Sequence, residues 1–253
     1  MTIQLRSTAL QHLDNAPLKV ALAQVRFAPV HAIEKRERVA DFQELLSDSY
    51  IAGEGQTPQT VTIQFGNESV IRPAAIAAPE TVWPFDDPAR GWSVALSSTS
   101  LALEAGTYQD FDDFLDELRS VLGALEEAFD PKRRTRLGLR YINEITDRRL
   151  AEDGLVSLLR KELVSPVGTA LGSDLAGSLN ELRFREKLGT FVLRHGLVRE
   201  DAYLLDFDYF NEESGDCDKE AIVSMVEQFH DLIEPLFVWC LSKNYLQELK
   251  SGG

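Results

Sequence analysis

Residues 136–145 read RLGLRYINEI, and this stretch decides the expected fold. Its apolar and polar side chains alternate with the two-residue period of a β-strand. The alternation predicts two faces, one with Leu139, Tyr141 and Asn143 and the other with Arg140, Ile142 and Glu144. One face is mainly apolar and the other carries charges, as is typical of strands in antiparallel sheets that are covered on one side.

Two long amphipathic helices are predicted, each after a series of strand-like runs joined by short turns. Residues 109–129 carry a broad apolar stripe at steps of three and four and stop at Asp130-Pro131. Residues 218–248 form the second helix, with Pro235 inside it. The predicted fold is therefore α+β, a mostly antiparallel sheet with amphipathic helices on one face. A duplicated strand–helix unit is one interpretation of this pattern.

The predicted organisation is a lead-in followed by two halves. Residues 1–16 show no periodicity and are expected to be loosely ordered, while 17–147 and 148–253 each form an α+β half. We expect the halves to pack as one globular unit. Two separate domains, with a boundary within 147–168, are the alternative.

The strand at 136–145 and the C-terminal helix at 229–237 together resemble a sporadically distributed, uncharacterised bacterial protein family. Its hallmarks are an Arg-Tyr-Ile-Asn strand, present here as Arg140, Tyr141, Ile142 and Asn143, and a helix with a histidine, here His230. The resemblance implies the fold and assigns no chemistry to these residues. The resemblance to so patchily distributed a group implies a role in mobile-element conflict, such as defence or toxin control.

Composition indicates an acidic cytoplasmic protein. The chain has 26 basic and 41 acidic residues in 253, a net charge of −15 that disfavours nucleic acid and favours a basic protein partner. Nothing approaches the roughly 18 consecutive apolar residues of a membrane span, and no signal-peptide core is seen. The two cysteines do not suggest disulfides or zinc. No cofactor is predicted.

Five residues are candidates to bind a small ligand: Arg140, Tyr141, Asn143, Arg194 and His195. A tyrosine and an asparagine among aliphatic side chains can line a pocket, and an arginine beside a histidine can bind an anion. The alternative is that Tyr141 and Asn143 make ordinary hydrogen bonds at a sheet edge.

Asp206 and Asp208 are the weaker candidates for a metal site. They point to the same face of one predicted strand, about 7 Å apart, and could hold Mg²⁺ if Glu144 or Glu212 supplied a third ligand. We favour the alternative, a half-buried strand whose acids face water. No nucleophile elbow, phosphate-binding loop or His-Glu-x-x-His sequence occurs, so no catalytic residue is predicted.

Four residues of the final helix lie partly outside its main apolar stripe: Trp239, Leu241, Tyr245 and Leu246. A helix that is apolar on several sides is covered either by its own chain or by another chain. Because two-fold homodimers are the commonest oligomers, these residues are our candidates for a homodimer interface.

Three functions remain open at this point. The first is a non-enzymatic interaction protein that binds, and regulates or neutralises, a partner protein. The second is a small-ligand or nucleotide sensor, and the third a metal-dependent hydrolase that uses Asp206 and Asp208. A chaperone-like acidic oligomer is a fourth option. The sequence leaves enzymatic activity open and favours a protein without one.

Overall fold

The computed structural model describes residues 16–56, 64–65, 68–69, 80–150, 154–164 and 177–251. Residues 1–15, which hold nearly all of the predicted lead-in, lie outside this part. The chain divides into two compact units. The first unit includes Arg140–Tyr209 and Gln228–Gly253, and the second includes Val20–Leu139 and Phe210–Glu227. Each unit uses segments of both predicted halves, and the boundary at residue 147 stays a prediction.

The described residues contain twelve strands and six α-helices. The strands are β1 (Leu18–Phe27), β2 (Ile51–Ala52), β3 (Gln64–Phe65), β4 (Glu68–Ser69), β5 (Val82–Asp87), β6 (Trp92–Ser97), β7 (Ser100–Ala105), β8 (Arg133–Thr146), β9 (Asn180–Glu186), β10 (Gly189–Arg199), β11 (Ala202–Asn211) and β12 (Gly215–Asp216). The helices are α1 (Arg36–Leu45), α2 (Phe111–Phe129), α3 (Leu155–Leu158), α4 (Lys161–Val164), α5 (Lys219–Cys240) and α6 (Lys243–Ser251).

Ten strands belong to one mostly antiparallel sheet, which confirms the predicted α+β class. The strand order is β2-β5-β6-β7-β1-β8-β11-β10-β9, and β12 pairs with β8. The pairs β5–β6, β6–β7, β7–β1 and β9–β10 are antiparallel. Along the chain, β5, β6 and β7 precede α2, and β9, β10 and β11 precede α5, with the two-residue β12 between β11 and α5.

In the second unit, α1 and α2 contribute aromatic side chains to the core. Phe42 of α1 is fully buried and contacts the ring of Phe85 on β5, with centroids 5.3 Å apart. Phe114 of α2 contacts Trp92 on β6 at 5.9 Å. Burying such large apolar rings stabilises the packing of both helices against the sheet.

The ends of α2 follow the sequence signals. The Asp110 side chain accepts a hydrogen bond from the backbone N–H of Asp113 and so caps the first turn. At the other end Asp130 adopts φ 46°, in the left-handed region, and its N–H bonds to the carbonyls of Leu125 and Glu126. Pro131 follows, as the sequence predicted for the end of this helix.

In the first unit, α5 packs on one face of β11. Tyr209 stacks on Phe229 with centroids 4.6 Å apart, and Phe207 meets Phe237 edge-on at 6.1 Å. Pro235 lies inside α5, which continues to Cys240. None of the helices in the described part of the chain combines the length and the apolar character that a membrane span requires.

The single helix predicted over 218–248 is wrong, because the structure divides it into α5 and α6. Ser242 lies between them, and its hydroxyl oxygen accepts a hydrogen bond from the N–H of Tyr245. The carbonyl of Cys240 accepts a bond from the N–H of Arg160. A free carbonyl at the end of α5 is thus hydrogen-bonded by another segment, and Ser242 caps the start of α6.

Candidate functional site

Four charged side chains, one from each of four neighbouring strands in the first unit, form a row of ion pairs. This row, called here the charge ladder, consists of Glu181 on β9, Arg194 on β10, Asp206 on β11 and Arg140 on β8. Glu181 lies directly opposite Arg194 in the β9–β10 register. The strands therefore bring together residues that are distant in sequence.

Asp206 is the centre of the ladder and is 0% exposed. Arg140 donates from Nε to Oδ1 at 2.7 Å and from Nη2 to Oδ2 at 2.8 Å, a bidentate geometry. Arg194 adds a bond from Nη1 to Oδ2 at 3.2 Å. The prediction that this carboxylate faces water is wrong, because arginines on both neighbouring strands cover it.

Glu181, at the outer end of the ladder, is ionised near neutral pH. Glu181 accepts one bond from Arg194 and one from Arg183, each at 2.8 Å. Burial opposes ionisation of Glu181, but the hydrogen bonds from the two guanidinium groups outweigh it and lower its pKa to about 2. Asp208 lies 3.7 Å from Arg194. Charges of opposite sign thus balance locally across these strands.

The geometry gives no support to a metal site at Asp206. Both of its oxygens already accept bonds from arginines, and Glu144, the first candidate for a third ligand, is paired with Arg199 at 3.0 Å. Glu212 is exposed. Within the described residues, no group of three or more His, Cys, Asp and Glu side chains is placed to hold a metal ion. The hydrolase interpretation therefore rests on the sequence pattern alone.

The five predicted ligand-binding residues do not form one pocket. Arg140 and Arg194 meet at the charge ladder on one face of the sheet. Tyr141 and His195 are the next residues along the same strands, so they point to the opposite face, and Asn143 shares that face with Tyr141. The anion-binding pair Arg194–His195 is thereby split between the two faces.

Tyr141 and Asn143 have hydrogen-bond partners in the interior. The hydroxyl of Tyr141 lies 3.0 Å from Nδ1 of His230 on α5. Nδ2 of Asn143 donates to the carbonyl of Leu205 at 3.3 Å. β8 lies between β1 and β11, so these bonds occur at a central strand and not at the sheet edge that the sequence suggested.

His195 provides a test of the interior of the first unit. Its Nδ1 lies 2.8 Å from the hydroxyl of Tyr203, and burial lowers its pKa below the ordinary value of about 6.5. In the unfolded chain the imidazole takes up a proton near that value, whereas the folded protein resists protonation. The stability that depends on neutral His195 is therefore present above about pH 6.5 and is lost as the pH falls.

We expect the free energy of unfolding of the wild type to fall between pH 7 and pH 5. The free energy of unfolding of His195→Gln should fall less over this range. Urea denaturation at several pH values measures the difference. His31 is exposed, and His31→Gln is the matched control that keeps the wild-type slope. Equal slopes for His195→Gln and the wild type would contradict the assignment.

Sequence reasoning missed Glu181 and Arg183 as members of the site. The turn between the two strands could have identified Glu181. A two-residue turn at Lys187 and Leu188 places Gly189 opposite Glu186, and each step along the antiparallel strands then pairs the next two residues, up to Arg194 opposite Glu181.

Two of the four candidate interface residues are covered by their own chain. Leu241 and Tyr245 are buried, while Trp239 and Leu246 are half-buried. The guanidinium of Arg160 lies over the Trp239 ring at 5.1 Å. A homodimer through this helix stays a prediction, and it now depends on Trp239 and Leu246.

Neither a protein-family model nor a curated protein sequence matches the chain. The resemblance to the sporadic bacterial family stays a prediction carried by Arg140, Tyr141, Asn143 and His230.

Proposed function

We propose that the protein is a non-enzymatic, acidic, cytoplasmic interaction protein that binds a partner protein and regulates or neutralises it. The binding surface is the sheet face that carries the charge ladder. The observation that supports this is the pair of arginines, Arg140 and Arg194, held in fixed positions by one fully buried carboxylate. The resemblance to the sporadic family supports a partner drawn from mobile-element conflict or defence.

Fixed arginines favour association. Immobilising a flexible side chain on binding costs about 0.5–1.5 kcal/mol, and arginine is enriched among the residues that dominate binding energy. Arg140 and Arg194 are already ordered by Asp206 before a partner arrives. The entropic cost of ordering them therefore belongs to folding and not to binding.

The charges also suggest the chemistry of the partner. The Arg183 side chain, which pairs with Glu181 at the outer end of the ladder, is 56% exposed, whereas Glu181 is 22% and Asp206 0% exposed, so a guanidinium group is the most accessible charge at this site. It suits carboxylates or backbone carbonyls at the contact itself. At longer range the net charge of −15 favours a partner that is basic overall.

Affinity capture from an extract of the source organism tests this function. At physiological salt we expect the wild type to retain a partner protein in a near-stoichiometric amount. Arg183→Glu should reduce recovery about tenfold, equivalent to about 1.4 kcal/mol of binding free energy. Arg119→Glu makes the same charge change at an exposed site in the second unit and should leave recovery unchanged. Retention of no protein, or equal retention by the Arg183 and Arg119 variants, would contradict the proposal.

A sensor of small anionic ligands is the second candidate, because Arg140 and Arg194 converge on one position. A ligand carboxylate or phosphate would have to compete with Asp206 for these groups. Thermal-shift measurements with nucleotides distinguish the two functions, since a ligand at 100 times its Kd stabilises the folded state by about 2.7 kcal/mol. If no nucleotide raises the Tm, the result would contradict the sensor function.

A further inference from the structure

We draw no further inference here: the strongest candidate, the half-buried surface of Trp239 and Leu246 near the junction of α5 and α6, with the Arg160 guanidinium over the Trp239 ring, carries none, because nothing in the described part of the chain shows what covers it.

Discussion

Replacing Asp206 with alanine is expected to lower the free energy of unfolding by about 3–5 kcal/mol, because it leaves two buried or half-buried guanidinium groups without their shared carboxylate. Asp206 is 0% exposed and accepts three bonds from Arg140 and Arg194. Removing one partner of a buried pair costs more than the pair itself contributes, since the remaining charge keeps its desolvation penalty. Chemical denaturation followed by circular dichroism measures the loss.

Asp208→Ala is the matched control for this prediction. Asp208 is on the same strand and 3.7 Å from the same Arg194, but it is more exposed and the contact is longer. We expect a loss below about 1 kcal/mol. A triple variant with leucine at Arg140, Asp206 and Arg194 should recover most of the stability lost in Asp206→Ala, because it removes the three charges that meet at Asp206 while Glu181 keeps its bond from Arg183. Equal losses for Asp206→Ala and Asp208→Ala would contradict the central place of Asp206.

Phe191→Ala is expected to destabilise the protein by about 3–5 kcal/mol, the range for deleting a fully buried aromatic ring. Phe191 is 0% exposed on β10 and lies at the centre of an aromatic group. Its ring centroid is 5.7 Å from Phe184, 6.3 Å from Phe207 and 6.1 Å from Tyr209. Its removal leaves a cavity that three aromatic neighbours line and cannot fill without breaking their own contacts.

Phe184→Ala serves as the comparison for Phe191→Ala. Phe184 is half-buried on β9, where the site can relax towards solvent, so we expect less than half the loss of Phe191→Ala. Urea denaturation of both variants at one pH gives the two values. If the two substitutions cost the same, the core of the first unit is not centred on Phe191.

The elements predicted best are those whose signals are local. α2 shows its apolar stripe, its Asp110 cap and its Asp130-Pro131 end within one window of sequence, and the structure places it at Phe111–Phe129. The division between α5 and α6 was missed because the apolar periodicity continues across it. The decisive contacts come from another segment, where Leu159 forms a bridge with Leu241 and Arg160 bonds to Cys240.

The charge ladder could not be predicted for the same reason, because its contacts join segments that are distant in sequence. Alternation along β8 correctly separated Arg140 from Tyr141, because the two faces of a strand are a local property. The pairing of Arg140 with Asp206 joins residues 66 positions apart, and no local pattern specifies which strands become neighbours. Pairing between strands is set by the packing of the whole sheet, so the sequence alone could not distinguish a buried ion pair from a metal site or a water-facing acid.

The buried carboxylate at Asp206 also constrains how this protein can evolve. A change at Asp206 removes the carboxylate that Arg140 and Arg194 share, and a change at either arginine removes a bond from the buried Asp206, so lineages are expected to keep all three residues or to replace them together. Homologues should therefore carry a joint Arg–Arg–Asp signature, with the second arginine 12 positions and the first 66 positions before the aspartate. Such a covarying triplet can identify distant relatives whose overall sequences have diverged beyond recognition.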